Sequence, residues 1–452
     1  MGPCLYNPDH LFKLVFVGCS PVHHQLESHS QPIQRLSSLV FLSEKEYKVY
    51  SERQHKSRER DHRTIGYQQK LFMTHKLCAG SPIFLPRGTR LFLNLKKILR
   101  REYALYDYEE VITPLVYEKE LWQNSGHWEL YKKNMFLMEK ESTGLKPMNC
   151  PAHCLIYQSE PRSYRELPLR FADFGPLHRN EDSGTLTGLC RVIKFHQDDA
   201  HIFCRQDQIY CEIQTCMAMM EKLYKLLGFS YYTVLSTRPE KSIGTDEEWK
   251  NSEQQLKMYL DTRGSPYEVR SGDGAFYGPK IDILVEDANG KRHQTATIQL
   301  DFQLPSRFSL HYTDVAYKKI RPVIIHRAVL GSFERMIALL IEHWEGKFPL
   351  WLSPTQILII PIKHDSEKQL EYATKLSRRL KLLEFHVETD FSKDAFVKKI
   401  ARSRTLYNYI LTVGDREVLQ ETVSVRPRSD SKVLVKKIDL FIEHLQKERA
   451  IE

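Results

Sequence analysis

His326-Arg327-Ala328-Val329-Leu330-Gly331-Ser332-Phe333-Glu334-Arg335 is the stretch on which the fold of this 452-residue chain turns. Gly331 and Ser332 make a small-residue turn, and Met336-Ile337-Ala338-Leu339-Leu340-Ile341 continues as an apolar helix with Arg335 at its start. Upstream, short strand patterns such as Ala296-Thr297-Ile298-Gln299-Leu300-Asp301-Phe302 alternate with turn signals and only a few helices. That order fits an antiparallel sheet flanked by helices, an α+β arrangement, better than regular strand-helix units. Downstream, beyond Trp351 to Pro354, the character changes. Gln356-Ile357-Leu358-Ile359-Ile360-Pro361-Ile362 reads as a buried strand, followed by a helix through about Lys381 and further strand-helix alternation. In that second, α/β region a helix over Lys393 to Arg404 is expected to place Phe396, Val397, Ile400 and Ala401 on one face, with Lys398, Lys399 and Arg402 free to follow phosphates.

Two more stretches stand far upstream: Lys146-Pro147-Met148-Asn149-Cys150-Pro151-Ala152-His153 and Gln197-Asp198-Asp199-Ala200-His201. With His326 they supply one thiol and two imidazoles, the donor set of a three-ligand zinc site that keeps a fourth position open. No short metal motif joins the three, so spacing alone gives them no more claim to a metal than to packing. Asp199 stands two residues before His201, and in an extended strand both side chains point to one face.

Composition sets wide bounds. At 41% hydrophobic and 27% charged, the chain is ordinary for a globular protein of two or three domains. Its 66 basic and 57 acidic residues leave +9, which suits a polyanionic partner without requiring one. Residues 354–452 hold 19 Lys and Arg against 15 Asp and Glu, an excess of four. Nine irregularly spaced cysteines do not make the disulfide framework of a small secreted domain, and a reducing compartment is expected. The longest apolar runs fall well short of the roughly 18–20 residues a membrane span needs, so no membrane partner is expected. Residues 1–70 read as a poorly ordered extension, either a targeting segment or a tail. Asp9, Glu27 and the scarcity of Arg fit a mitochondrial presequence poorly.

Leu177-His178-Arg179-Asn180-Glu181, the polar loop Ser183-Gly184-Thr185-Leu186-Thr187-Gly188 and an apparent strand from Cys190 to Phe195 form a second constellation. An arginine there can bridge phosphate oxygens with its planar, permanently charged guanidinium. The bland alternative is a surface salt bridge worth about 0–1 kcal/mol. A third constellation is the helical pattern Gly88 to Leu99 before a strand-like Glu110-Val111-Ile112-Thr113-Pro114-Leu115.

Together these segments resemble motifs 1, 2 and 3 of the class II aminoacyl-tRNA synthetases. From about Leu71 onward the chain resembles the threonyl-tRNA synthetase family, in particular the fungal mitochondrial form that lacks an editing domain. The resemblance implies a class II catalytic domain over 71–350, an α/β class IIa anticodon-binding domain over 354–452, and a homodimer built on motif 1. It implies a threonine–tRNA ligase that activates threonine with ATP and Mg²⁺ and transfers it to tRNA(Thr). Cys150, His201 and His326 become zinc ligands. Asp199 becomes the acceptor of the threonine hydroxyl, with Met148, Gln197 and Tyr277 lining the amino-acid pocket. ATP falls to Arg179, Glu181, Arg191, Phe195, Gln299, Ser332 and Arg335. Lys280 contacts ATP or the adenylate, and His127 helps to deprotonate the tRNA ribose hydroxyl. Seryl and prolyl enzymes are disfavoured because the zinc set with Asp199 and Tyr277 has the threonyl arrangement. Ala152 stands where the family has Gly, and Ile193 and His196 also depart from it. With only about 70 residues ahead of the core, serine activation without a hydrolytic second site is expected, and a mitochondrial matrix location, with the cytoplasm as the alternative.

Overall fold

The structure, a computed structural model, describes residues 12–25, 30–138, 142–430 and 432–450. The chain divides into two compact units, Met1–Asp61 and His62–Glu452. In the first, strands Lys13–Gln25 and Ser30–Phe41 pair antiparallel and lead into helix Glu44–Arg60. Ser43 caps that helix by accepting from the Glu46 N–H at 3.3 Å, while the Glu46 carboxylate accepts from the Leu42 N–H at 3.0 Å. Phe41 packs against Tyr47 and Tyr50. The described part of residues 1–70 thus carries regular elements. Ser43 followed three residues later by Glu46 is a helix-start signal within the mixed charge of the segment.

The second unit is built on a nine-stranded sheet. Its main path runs Tyr267–Arg270, Tyr232–Ser236, Lys280–Glu286, Arg292–Asp301, Val323–Ser332, Lys194–Cys204, Leu169–Asp173 and Glu109–Glu110, with Pro176–His178 paired to Lys194–Cys204. All neighbours are antiparallel except the two edge pairs, which are parallel. Helices Pro86–Leu105, Ile209–Leu227 and Phe333–His343 contribute to the main hydrophobic core over one face, which buries Leu95, Leu99, Met217, Leu223, Ile337 and Leu340. One sheet face is thus covered by helices and the other is left to form a site, as expected for an antiparallel sheet. The strand expected over Cys190 to Phe195 begins only at Lys194, because Cys190 and Arg191 close a turn on the carbonyl of Thr187.

The register of the two central strands is broken on purpose. Gln197 faces Ser332 while Asp199 faces Ala328, so one residue of the first strand, Asp198, opposes three of the other. The carboxylate of Asp198 fills the gap, accepting the N–H groups of Val329 (2.7 Å) and Leu330 (3.0 Å). Arg327, 1% exposed, lies against the rings of Tyr103 and Tyr108 and reaches Asp198 at 3.4 Å. Gly331 completes the bulge at φ +67°, and a Cβ there would lie 2.4 Å from the Thr295 carbonyl oxygen.

Near the bulge, fully buried Lys146 donates to Thr113 Oγ1 (2.7 Å) and Asp173 Oδ2 (3.2 Å), tying the segment before Cys150 to the end of motif 1. The C-terminal part is a second sheet in the order Val387–Thr389, Ile357–Pro361, Tyr409–Val413, Thr422–Pro427, Leu434–Lys437, the first three strands parallel and the rest antiparallel. Glu388 docks it onto helix Pro86–Leu105 by accepting from Arg87 (2.6 and 3.1 Å), Arg90 (3.2 Å) and Tyr407 (2.6 Å). The amphipathic helix shrinks to Phe396–Ser403, and its face is corrected. Phe396 and Ile400 pack inward, but Val397 and Ala401 are exposed and Lys399 is buried beside Asp390. Lys398 and Arg402 pair with Asp394, and Arg402 also with Asp390, so these cations are already matched rather than free for phosphate.

Gly331→Ala should cost about 2–4 kcal/mol, because it adds a methyl against a fixed carbonyl in a left-handed backbone. Urea unfolding followed by tryptophan fluorescence measures this, and an unchanged midpoint would contradict the bulge as the fixed point of the sheet.

Candidate active site

The open sheet face and the motif loops enclose a cavity of about 330 Å³. It brings together Met148, Cys150, Gln197, Asp199, His201, Tyr277 and His326 with Arg179, Glu181, Arg191, Phe195, Gln299, Ser332 and Arg335. Cys150 opens helix Cys150–Gln158, whereas His201 and His326 are direct partners across the two central strands. Pairing of that kind puts two side chains about 5 Å apart on one face.

The ligand atoms of Cys150, His201 and His326 lie within 4.8 Å of one another, and all three residues are buried. His201 Nε2 is 3.0 Å from His326 Nδ1. The far nitrogen of each ring is held: His326 Nε2 by Asp301 Oδ2 at 2.8 Å and His201 Nδ1 by His153 Nδ1 at 2.8 Å. Rings whose outer nitrogens are fixed and whose inner nitrogens converge beside a thiol fit a divalent, borderline-soft cation such as zinc. Burial pushes the Cys150 thiol up and the His201 imidazole well down. Asp199 adjoins the three, with one carboxylate oxygen taken by Asn149 Nδ2 at 3.0 Å, and burial pushes its pKa up to about 6. Tyr277 lies against His326 at 4.9 Å.

The second group is cationic. The Arg179 guanidinium lies 4.9 Å from the centre of the Phe195 ring and donates to the Pro147 carbonyl. Arg335 donates to the carbonyls of Cys190 (2.9 Å) and Gln294 (2.6 Å), and burial lowers its pKa. Those hydrogen bonds reach carbonyls, and among the described residues no acid is hydrogen-bonded to either guanidinium, so both positive charges face the cavity. An anion bound there would gain more than it would at the surface. Arg191 is paired with Glu181 at 2.7 Å. Ser332 caps helix Phe333–His343 by accepting from the Arg335 N–H, which fixes where Arg335 leaves the sheet.

Two expected residues are not in the cavity lining. His127 is fully buried, with Nδ1 bonded to Ser125 and Nε2 3.2 Å from Met148 Sδ and 3.9 Å from Cys150 Sγ. Burial takes its pKa down to about 3. Lys280 is drawn to Asp282 at 2.6 Å, where Ser236, Gln294 and Thr297 also converge. Ala152 sits in the first turn of its helix with an ordinary backbone, so the alanine needs no glycine freedom. Thr295 and Thr297 line the cavity unforeseen. Stepping back by two from Gln299 along a pleated strand reaches Thr297, while the register shift beside Ala296 breaks that alternation before Thr295.

A family model for the class II tRNA synthetase core domain (G, H, P, S and T) matches residues 132–344, and one for the anticodon binding domain matches 356–448. The mitochondrial threonine–tRNA ligase 1 of Arabidopsis thaliana is 46% identical over 99% of this chain and 64% of its own length. The cytoplasmic threonine–tRNA ligase 1 of Homo sapiens is 46% identical over 98% of this chain and 62% of its own. The chain thus spans about three fifths of these relatives, and the two compartments match alike. Among solved structures, the RNA binding domain of threonyl-tRNA synthetase from Cryptosporidium parvum superposes with a TM-score of 0.83 at 45% identity, covering 86% of this chain and 98% of that one. A Giardia lamblia prolyl-tRNA synthetase shares the fold, with a TM-score of 0.68 at 17% identity. Among the described residues no helix is long and apolar enough to cross a membrane, and the cysteines are free thiols. The converging Cys150, His201 and His326, the two arginines beside them and this likeness in sequence and fold place the chain in the threonyl-tRNA synthetase family of class II synthetases.

Proposed function

We propose that the chain is a threonine–tRNA ligase, which joins threonine to the α-phosphate of ATP with release of pyrophosphate and passes the threonyl group to tRNA(Thr). The observation that carries this is one cavity holding the Cys150, His201, His326 set, Asp199 and two arginines whose charge has no hydrogen-bonded acid. Arg179 and Arg335 bind and orient the phosphates with their Mg²⁺, and oppose the charge that grows at the α-phosphate in the transition state. Phe195 supplies a flat face for the adenine, with Glu181, Arg191, Gln299 and Ser332 as further ATP contacts. Asp199 offers its second carboxylate oxygen to the threonine hydroxyl, while Met148, Gln197 and Tyr277 close the pocket around the side chain.

Threonine and valine have nearly the same shape, and an apolar pocket separates such isosteres by only about a hundredfold. A site built to bond the hydroxyl can separate them by roughly 10⁴ or more. Cys150, His201 and His326 would hold a zinc ion, whose open position would take up the amino group and hydroxyl of threonine. His127, beneath Met148, and Lys280, held by Asp282, belong to this reading as groups that act once Met148 moves aside or Asp282 releases its partner. We assign catalysis to 71–350, anticodon binding to 354–452, and a homodimer to the motif 1 region.

Pyrophosphate exchange should proceed with threonine and fall by at least about a thousandfold with valine. Stripping zinc with a chelator, or Cys150→Ser, should abolish most of that discrimination. Exchange that discriminates equally well without metal would overturn the zinc assignment. Arg179→Ala and Arg335→Ala should each lower the exchange kcat by about 10²–10³-fold. Parent-like rates in both variants would refute their placement at the phosphates.

A further inference from the structure

The guanidinium of Arg335 owes its direction to two carbonyls, those of Cys190 and Gln294, and one buried pair of side chains grips the segments that carry both. His62 is buried and opens helix His62–Gln68, outside the residues 132–344 that the core family model matches. Its Nδ1 is 2.7 Å from Glu342 Oε1, and its Nε2 is 3.1 Å from the backbone nitrogen of Leu189. Glu342, also buried, stands two turns beyond Arg335 on helix Phe333–His343, and its Oε2 accepts the Ala288 N–H at 3.3 Å. Leu189 precedes Cys190, and Ala288 lies in the turn that leads into the strand of Gln294.

A backbone N–H can only donate, so His62 Nε2 accepts from Leu189 and the ring proton lies on Nδ1, towards Glu342. The imidazole is a rigid link between a carboxylate and a peptide bond. A buried carboxylate is costly unless it is bonded, and here each oxygen has a donor, the ring N–H at Oε1 and the Ala288 N–H at Oε2. The loop comes down close on the ring. Gly188, at φ +48°, permits this approach, and a Cβ there would lie 2.2 Å from His62 Nε2. Just past the end of helix His62–Gln68, the Gln69 side-chain amide donates to the Gly346 carbonyl at 3.0 Å, which holds the helix against the segment that follows Glu342.

We propose that His62 and Glu342 are positioning residues for ATP: through Leu189 and Ala288 they set the two carbonyls that aim Arg335 into the cavity, an inference that rests on the phosphate role given to Arg335 above. Neither lines the cavity itself. Arg335 and Glu342 share a helix, so the clamp closes on itself. The helix supplies the arginine at its start and, two turns on, the acid that fixes where the acceptors of that arginine stand. An arginine held only by carbonyls keeps its charge for a ligand, and its direction then depends on whatever holds the carbonyls. Stability alone would be served as well by an apolar contact in place of the buried pair.

The test is pyrophosphate exchange by the full chain, with ATP and threonine varied separately. His62→Phe should raise the ATP KM roughly tenfold and lower kcat by a similar factor, with the threonine KM unchanged. His62→Gln, whose amide oxygen can accept the Leu189 N–H, should recover most of the loss. On an Arg335→Ala background His62→Phe should change the ATP KM little further, because its effect passes through that arginine. A parent-like ATP KM in His62→Phe, a threonine KM that rises as much as the ATP KM, or losses that multiply with those of Arg335→Ala overturn the proposal. A parent without threonine-dependent exchange, or Arg335→Ala that exchanges as the parent does, overturns the reading beneath it instead. If His62→Phe does not fold, Gly188→Ala, which pushes the loop off the imidazole and leaves both residues of the pair in place, decides by the same ATP KM, and a parent-like value overturns the proposal.

Discussion

The carboxylate of Asp198 is the constraint on which this architecture rests. It satisfies two backbone N–H groups that the mismatch between the central strands would otherwise strand in the interior. An unbonded N–H there would cost about 1–3 kcal/mol, and two would consume much of an ordinary domain's stability. Because the bulge is filled, the strand can carry His326 into the cavity, Arg327 into the core and Ser332 to the helix start within seven residues. Arg327 balances the same carboxylate from the helix side. One buried ion pair therefore fixes both the ligand geometry and the exit angle of Arg335.

The two clusters in the cavity suit opposite chemistries. The first converges imidazole nitrogens and a thiol, with the two rings held from behind by Asp301 and His153. The second converges two cations whose hydrogen bonds reach only carbonyls. A ligand carrying an amine and a hydroxyl at one end and a polyphosphate at the other fits this division.

Much of this was legible in the sequence because it was local. The turn at Gly331 and Ser332, the apolar helix after it and the period-two placement of Asp199 and His201 are short-range patterns, and the structure keeps them. The resemblance supplied the longer-range assembly that spacing could not, joining positions 150, 201 and 326. What escaped was set by tertiary pairing. Lys280 and Asp282 stand two residues apart on one strand, so their pairing follows the same period-two logic, whereas nothing near His127 places it beneath Met148. The helix Phe396–Ser403 is rotated away from the face that its hydrophobic residues suggest. Lys399 instead turns its ammonium to Asp390, and Val397 is left to water. The Ser43-x-x-Glu46 helix start is a local signal overlaid by the charges that follow it.

Glu388 gathers Arg87, Arg90 and Tyr407 on a single carboxylate. Two of those donors sit on the helix whose Phe92 stacks on Phe333 at the entrance to motif 3. The C-terminal sheet is therefore not a freely exchangeable module. In an inherited or engineered recombination at the 350–356 junction, the incoming partner must bring an acid at this position, or the helix is left with two unmatched guanidinium groups behind its active site.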